Sequence, residues 1–284
     1  MLSSVNGSLV TTQLSADTST NLFDLEKRSI AIIREAKAQF QNMAVLWSTG
    51  KDSTCTLWLC RKAFFGKIPF PVIHIDTGYK FPTMYEFRDK LAREWGFNLI
   101  VTRNEDAIHR KMSPKQGSLT CCTALKTKGL KLLLAQEKYD ALLLSIRRDE
   151  HGIRAKERFF SPRDEDFKWD YKNQPAEMWD LYVKPAEDFS HMRVHPILHW
   201  TELNVWQYIK QEQIPVNPLY FAKNGKRYRS LGCQPCTVPV PSTAQSIDEI
   251  VEELGTSTTS ERAGRSQDKE KAYMMQKLRA LGYM

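Results

Sequence analysis

Six consecutive residues, Ser48-Thr49-Gly50-Lys51-Asp52-Ser53, follow an apolar run and open a helical one. A loop in that position turns backbone N–H groups and a helix N-terminus toward an anion. Gly50 permits close backbone approach, Lys51 adds a point charge, and the Ser48 and Ser53 hydroxyls add donors. A phosphate chain suits such a loop, although the G-x-x-x-x-G-K spacing of a Walker loop is missing. A second constellation is sulfur: Cys121 and Cys122 are adjacent, and Cys233 and Cys236 form the single C-x-x-C. Four thiolates can hold an iron–sulfur cluster or zinc, and four thiols can equally serve redox or sulfur-relay chemistry or fill a core. A third is cationic, with Arg147, Arg148, Arg154, Lys156 and Arg158 crowding the carboxylate of Asp149. Such a strip can stabilise charge on a phosphoryl group, while Asp149 could help to hold Mg²⁺.

Periodicity supplies the elements that must position these groups. Apolar residues from Asn21 to Phe40 recur at helical steps. "MAVLWS", "FPVIHIDTG", "NLIVT" and "DALLLSI" read as four buried strands, separated by helices from Ser53 to Phe64, through "TMYEFRDKLAREWG" to Gly96, and after Cys122 to about Tyr139. This alternation predicts right-handed βαβ units and a mainly parallel sheet. Ligands of such sheets sit at the carboxyl ends of the strands, where "STGKDS", "DTGYK" and "RRDE" all fall. Beyond Phe160 the chain reads as irregular. "MRVHPIL" is a further candidate strand, Thr201 caps a helix through Gln211, and another helix runs from about Ile247 to Leu254. The expected organisation is a flexible polar segment over 1–20, an α/β domain carrying the phosphate loop over 21–200, and a C-terminal helical and loop region over 201–284 with the C-x-x-C and a basic tail. Cys55 and Cys60 lie within the first helix after the loop and are expected in the core.

Composition narrows the function classes. With 42% hydrophobic and 26% charged residues the chain is ordinary for a globular protein, and its net charge of +8 suits a polyanionic ligand. No apolar run approaches the roughly 18 residues of a membrane span, and the N-terminus lacks the pattern of a secretion signal. Cytoplasmic residence is the expectation, with the six cysteines reduced.

The loop resembles the S-x-G-K-D-S pyrophosphate loop of the ATP pyrophosphatase (PP-loop) superfamily. Most members carry Gly where Thr49 stands, a departure expected to need only an ordinary φ. The resemblance implies that the β- and γ-phosphates are held as a unit, so that attack falls on the α-phosphate and leaves an adenylylated product. "AFFGKIPFPVIHIDTGYKFPTMYEFRD", "RRDEHGIRAKERFFSPRD", "WTELNVWQYI", "IPVNPLYFA" and "TSTTSERAGR" are similar to the small, ATP-binding subunit of bacterial sulfate adenylyltransferase. That similarity implies an adenine nucleotide α-hydrolase-like fold, a doubly wound α/β sheet with flanking helices. It also implies an ATP site of Ser48, Thr49, Gly50, Lys51, Asp52, Ser53, Asp76, Thr77, Gly78 and Arg147. Lys51, Asp52, Arg148 and Asp149 would be its catalytic set, with ATP and Mg²⁺ as cofactors.

The cysteine pairs resemble the cluster site of the assimilatory sulfonucleotide reductases and imply a [4Fe–4S] cluster on Cys121, Cys122, Cys233 and Cys236. The nucleophilic cysteine of those reductases has no counterpart, because no cysteine follows Cys236. Loop and cluster together resemble the ATP pyrophosphatase of DNA phosphorothioation systems. That resemblance implies a cysteine desulfurase and other phosphorothioation proteins as partners, and contact with DNA. The alternatives are a sulfate adenylyltransferase small subunit with a GTPase partner, a tRNA thiolation enzyme, and a non-enzymatic nucleotide sensor. The intact Lys51, Asp52 and Arg148 speak against the sensor.

Overall fold

The computed structural model describes residues 6–257, apart from 153, 173, 175, 178–180 and 183–188, together with 261–264; side chains are described from Asn21 through Arg262. The basic tail beyond Gly264 lies outside the described residues.

Helix α1 (Asn6–Gln39) leads into β1 (Met43–Leu46), and α2 (Lys51–Ala63) follows. Next come β2 (Val72–Ile75), α3 (Pro82–Trp95), β3 (Leu99–Thr102) and the short α4 (Glu105–His109). A helical run then comprises α5 (Ser118–Cys122), a π-helical stretch (Thr123–Thr127) and α6 (Lys128–Glu137). Strands β4 (Ala141–Leu143), β5 (Phe160–Arg163) and β6 (His191–Val194) complete the sheet, whose order is β3-β2-β1-β4-β6-β5. Every pairing in it is parallel except β5 with β6. Helix α7 (Glu202–Glu212), a small ribbon of β7 (Lys226–Arg227) and β8 (Val240–Pro241), and α8 (Ile247–Thr256) follow.

All residues of β1, β2, β4 and β6 are buried, as expected of a parallel sheet covered on both faces. Alternate residues go to opposite cores. Met43 and Val45 join the larger cluster, with Ile33, Phe40 and Trp206, whereas Ala44 and Leu46 pack with Ile73, Leu130 and Leu142. Val205, Trp206, Ile209 and Ile250 share that larger core, so the region after residue 200 packs into the same body as the sheet. Cys55 and Cys60 are buried there too, as expected.

Three local features depart from the expectations. Helix α1 starts at Asn6, well before the apolar periodicity begins. The chain after Phe160 is not irregular at once but forms the antiparallel edge strand β5, which tolerates Pro162 because an edge strand need not donate on both sides. The helix expected after Cys122 begins before it, so Cys121 and Cys122 are themselves helical. The caps follow the expected chemistry. Gly96 ends α3 at φ +64°, and the Thr201 hydroxyl accepts the Asn204 N–H at 3.1 Å at the start of α7. Among the described residues no helix is long and apolar enough to cross a membrane.

A buried polar group ties helix α1 to the segment that follows β6. Ser29, fully buried, donates to the Pro196 carbonyl at 2.9 Å and accepts the Trp200 indole N–H at 2.9 Å. Ser29→Ala strands that indole donor, so a loss of about 1–3 kcal/mol is expected from urea unfolding. An unchanged midpoint would show that the tie contributes nothing.

Candidate active site

Strand β1 ends at the carboxyl edge of the sheet, and the Ser48–Ser53 loop turns there into α2. The loop is held from inside. The Ser48 N–H donates to the Ser53 hydroxyl at 3.2 Å, and the Thr49 hydroxyl donates to the Ser48 carbonyl at 2.6 Å. The Lys51 N–H donates to the buried Tyr220 hydroxyl at 2.8 Å. Space at Gly50 is tight, since a Cβ there would lie 3.3 Å from Ser48 Oγ and 3.4 Å from Tyr220 Oη. The expectation of an ordinary φ at Thr49 is overturned. Thr49 sits at φ +64°, in the left-handed region that a β-branched residue rarely enters.

Ser48, Gly50, Lys51, Asp52 and Ser53 line a cavity. Four further cations, Lys80, Lys126, Arg154 and Arg262, reach the same cavity. Arg147 is fully buried behind it and pairs with Asp52, with Glu261 and, at 3.0 Å, with Asp149. Lys51 pairs with Asp52 at 3.1 Å and with Glu261. Burial disfavours the charged form of Lys51, but Glu261 and Glu202 outweigh it and hold the pKa above that of an ordinary lysine. Burial likewise pushes the Glu261 carboxyl up, and Arg147 and Lys51 outweigh it, leaving the carboxylate ionised. Asp149 uses its second oxygen to accept the Glu202 N–H at 2.8 Å, tying this network to the start of α7.

The remaining predicted site residues are used differently. Arg148 turns from the cavity, donating to the Glu157 carbonyl at 3.3 Å with its guanidinium 5.3 Å from the Phe159 ring centre. Of the cationic strip, Arg154 is buried and paired with Glu150, whereas Lys156 and Arg158 are exposed. The Asp76 carboxylate serves its own turn, accepting from the Gly78 N–H at 2.8 Å, Tyr85 Oη at 2.9 Å and Arg103 Nε at 2.9 Å. Thr77 is buried, and Gly78 supplies the turn's positive φ. Tyr220, Glu261 and Arg262 were missed as site residues. They lie within "PLYFA" and "TSTTSERAGR", stretches that carry the family resemblance but hold no local sign of which loop they reach.

Comparison with known proteins agrees with this geometry. The phosphoadenosine phosphosulfate reductase domain family matches residues 42–239. "Sulfate adenylyltransferase subunit 2" of Pseudoalteromonas translucida is 43% identical over 295 residues, covering 93% of this chain and 99% of that protein. The protein of the same name from Azotobacter vinelandii is 43% identical over 303 residues, covering 94% and 99%. This chain belongs to the sulfate adenylyltransferase subunit 2 family. Solved structures share its fold at much lower identity. Candida glabrata FMN adenylyltransferase in complex with ATP aligns at a TM-score of 0.57 and 16% identity over 87% of this chain and 88% of that one. Phosphoadenylyl-sulfate reductase from Candida auris aligns at 0.53 and 17% over 76% and 96%. The adenine nucleotide α-hydrolase-like architecture expected from the sequence is thus the one observed.

In this member of the sulfate adenylyltransferase subunit 2 family the four singled-out cysteines are all buried, without a disulfide. The Cys121 thiol is pushed up to about 12, first by burial and then by Cys122, Cys233 and Cys236, so the two distant pairs lie within electrostatic reach of each other. Cys233 Sγ is 3.2 Å from the Thr77 hydroxyl. Its neighbour Gly232 lines the nucleotide cavity, as does Lys126, which favours the Cys121 thiolate. Among the described residues no three His, Cys, Asp or Glu side chains form a group that could hold a metal ion. A zinc ion bound by four thiolates at about 2.3 Å would need sulfurs about 3.8 Å apart, so a zinc site is not built here.

Thr49 supplies a direct test of the loop. Moving an L-residue into the left-handed region costs about 1–2 kcal/mol, while glycine adds back about 0.5–1 kcal/mol of chain entropy. Thr49→Ala and Thr49→Gly both lose the buried methyl and the hydroxyl bond to Ser48, so the strain is read from their difference. Thr49→Gly is expected to be about 1 kcal/mol more stable than Thr49→Ala in denaturant unfolding, and an alanine variant as stable as the glycine one would refute the strain.

Proposed function

We propose that the chain binds ATP at the Ser48–Ser53 loop and transfers its adenylyl group to sulfate, releasing pyrophosphate, in company with a GTPase subunit. The observation that carries this reading is the likeness over nearly the full length to proteins named sulfate adenylyltransferase subunit 2. In the reaction a sulfate oxygen bonds to the α-phosphorus and the bond from that phosphorus to the β-bridging oxygen breaks. The electron pair leaves with pyrophosphate. Charge gathers on the leaving group, so its stabilisation falls to Lys51, Arg147 and the backbone N–H groups at the start of α2. Asp52 holds both cations in position. Of the guanidinium groups lining the cavity, Arg154 is the candidate for the sulfate oxygens. Mg²⁺ fits as a companion of the triphosphate, because it commonly binds through one or two carboxylates plus substrate phosphates. Asp52 is the predicted carboxylate that lines the cavity, whereas Asp149 is taken up by Arg147 and the Glu202 N–H, and the bound ion would offset phosphate charge.

Lys51→Ala is expected to cut sulfate-dependent ATP–pyrophosphate exchange by about 10²–10³-fold, assayed with the GTPase subunit present. Undiminished exchange would remove the loop from the mechanism. No sulfate-dependent exchange in the unaltered complex would remove sulfate as the acceptor.

A second reading is favoured by the thiols. It keeps the ATP pyrophosphatase chemistry but directs it to DNA phosphorothioation, with a [4Fe–4S] cluster on Cys121, Cys122, Cys233 and Cys236. A cysteine desulfurase and other phosphorothioation proteins would be its partners, with DNA as the polyanion. Support comes from the mutual burial of two cysteine pairs beside the nucleotide cavity. Four cysteine thiolates are the ligand type and number that a cubane takes. When bound, the cluster could carry sulfur or fix the fold; the thiolates' part is to hold it. Adenylylation of tRNA for thiolation would use the same loop, and no observation favours it. Anaerobically purified protein is expected to be brown with about four iron and four sulfide per chain, and Cys233→Ser is expected to bleach it. Colourless wild-type protein with negligible iron would leave the sulfate reading alone.

A further inference from the structure

The two cations best placed to grip phosphate are already occupied. One oxygen of Glu261 faces Lys51 Nζ and the other faces Arg147 Nη2, although 210 residues separate Lys51 from Glu261 along the chain. All three side chains are buried: Lys51 is 1% exposed, Arg147 0% and Glu261 7%. A carboxylate and a phosphate offer such cations the same thing, a pair of oxygens on one centre.

Charge balance sharpens the conflict. Lys51, Arg147, Arg154, Arg229 and Arg262 are matched, five against five, by Asp52, Asp149, Glu150, Glu202 and Glu261. That network is neutral before any nucleotide arrives, with Lys80 and Lys126 lining the same cavity outside it. ATP carries net negative charge even with one Mg²⁺ bound. Lys80 and Lys126 can meet part of that charge, but phosphate cannot reach Lys51 and Arg147 while Glu261 holds both. Packing a second anion against a buried carboxylate is costly. The simplest relief is for one carboxylate to leave. Asp52 is fixed in the first turn of α2, and Asp149 is tied to the N-terminus of α7. Glu261 belongs instead to a single short turn, Glu261–Gly264, whose next residue, Arg262, is docked by an ion pair to Glu150 at 3.5 Å. A polyanion competes with both attachments.

We propose that Glu261 is the internal counter-anion of the empty phosphate site, and that ATP or pyrophosphate binds by displacing it together with the Glu261–Gly264 turn. The proposal rests on the reading of the Ser48–Ser53 loop as a phosphate site. It makes the Glu261–Gly264 turn a ligand-responsive element, docked when the site is empty and released when phosphate is bound. Arg262 then exchanges a cavity-lining position for solvent as the site fills.

Two measurements on the full chain test it. Pyrophosphate affinity by calorimetry is expected to rise about 5–10-fold in Glu261→Gln, because the competing anion is gone. In wild-type protein, which needs no substitution to fold, trypsin cleavage after Arg262 is expected to accelerate when pyrophosphate or ATP is added, followed by mass spectrometry of the fragments. Unchanged or weaker binding by Glu261→Gln, or protection of Arg262 by the ligand, overturns the proposal. Lys51→Ala separates this failure from the failure of the underlying reading. If Lys51→Ala abolishes pyrophosphate binding while Glu261→Gln does not tighten it, the phosphate site stands and the displaced carboxylate falls. If Lys51→Ala binds as wild type does, both fall.

Discussion

A guanidinium with no access to water must find its counter-charges inside the fold, and around Arg147 those charges come from three distant parts of the chain. Asp52 follows β1, Asp149 follows β4, and Glu261 comes from beyond α8. The parallel pairing of β1 with β4 makes the first two meet, because it brings both strand ends to one edge of the sheet. Removing one partner of such a buried charge costs about 3–5 kcal/mol, so the arrangement is fixed far more firmly than a surface pair would be. Asp149 extends the network to the Glu202 N–H, and Glu202 extends it to Arg229 at 2.8 Å. The ion network beside the Ser48–Ser53 loop is thus also the fastener between the sheet and the region after residue 200.

Much of the architecture was legible in the sequence because burial on both faces leaves an unmistakable trace. β1, β2 and β4 are runs of apolar residues, and each ends in a polar cluster. β5 was not legible for the opposite reason. Ser161 and Arg163 are buried polar residues on an edge strand, so the text there looks like a loop. Thr49 hid its strain because residue identity says nothing of φ where a β-branched residue is forced into the left-handed region. Within the site, the loop residues were readable from their own chemistry, whereas Glu261 and Tyr220 act across distances along the chain that no local pattern encodes. Arg148 shows the converse error. It stands next to Arg147 in a cationic strip, yet consecutive residues leaving a strand point to opposite sides, and only one of the two can face the carboxylates.

The thiols add a second constraint on the same cavity. Thr77 and Cys233 bring the turn after β2 against the C-x-x-C, and the Gln234 N–H donates to the Tyr79 carbonyl at 2.7 Å, so the two segments are stitched together at the cavity wall. On its other side this sulfur region is apolar, with Cys121 packed among Ala107 and Leu125. Such surroundings hold the Cys121 thiol in its protonated form, and a protonated buried thiol behaves as a small hydrophobe. Inert packing and cluster binding therefore use the same side chains and differ in charge, because a metal centre must displace the protons. Lys126 stands where that difference would be felt, lining the nucleotide cavity while favouring the Cys121 thiolate. Charge added at the sulfurs would draw on a lysine that also faces the phosphate site, which couples the two regions electrostatically.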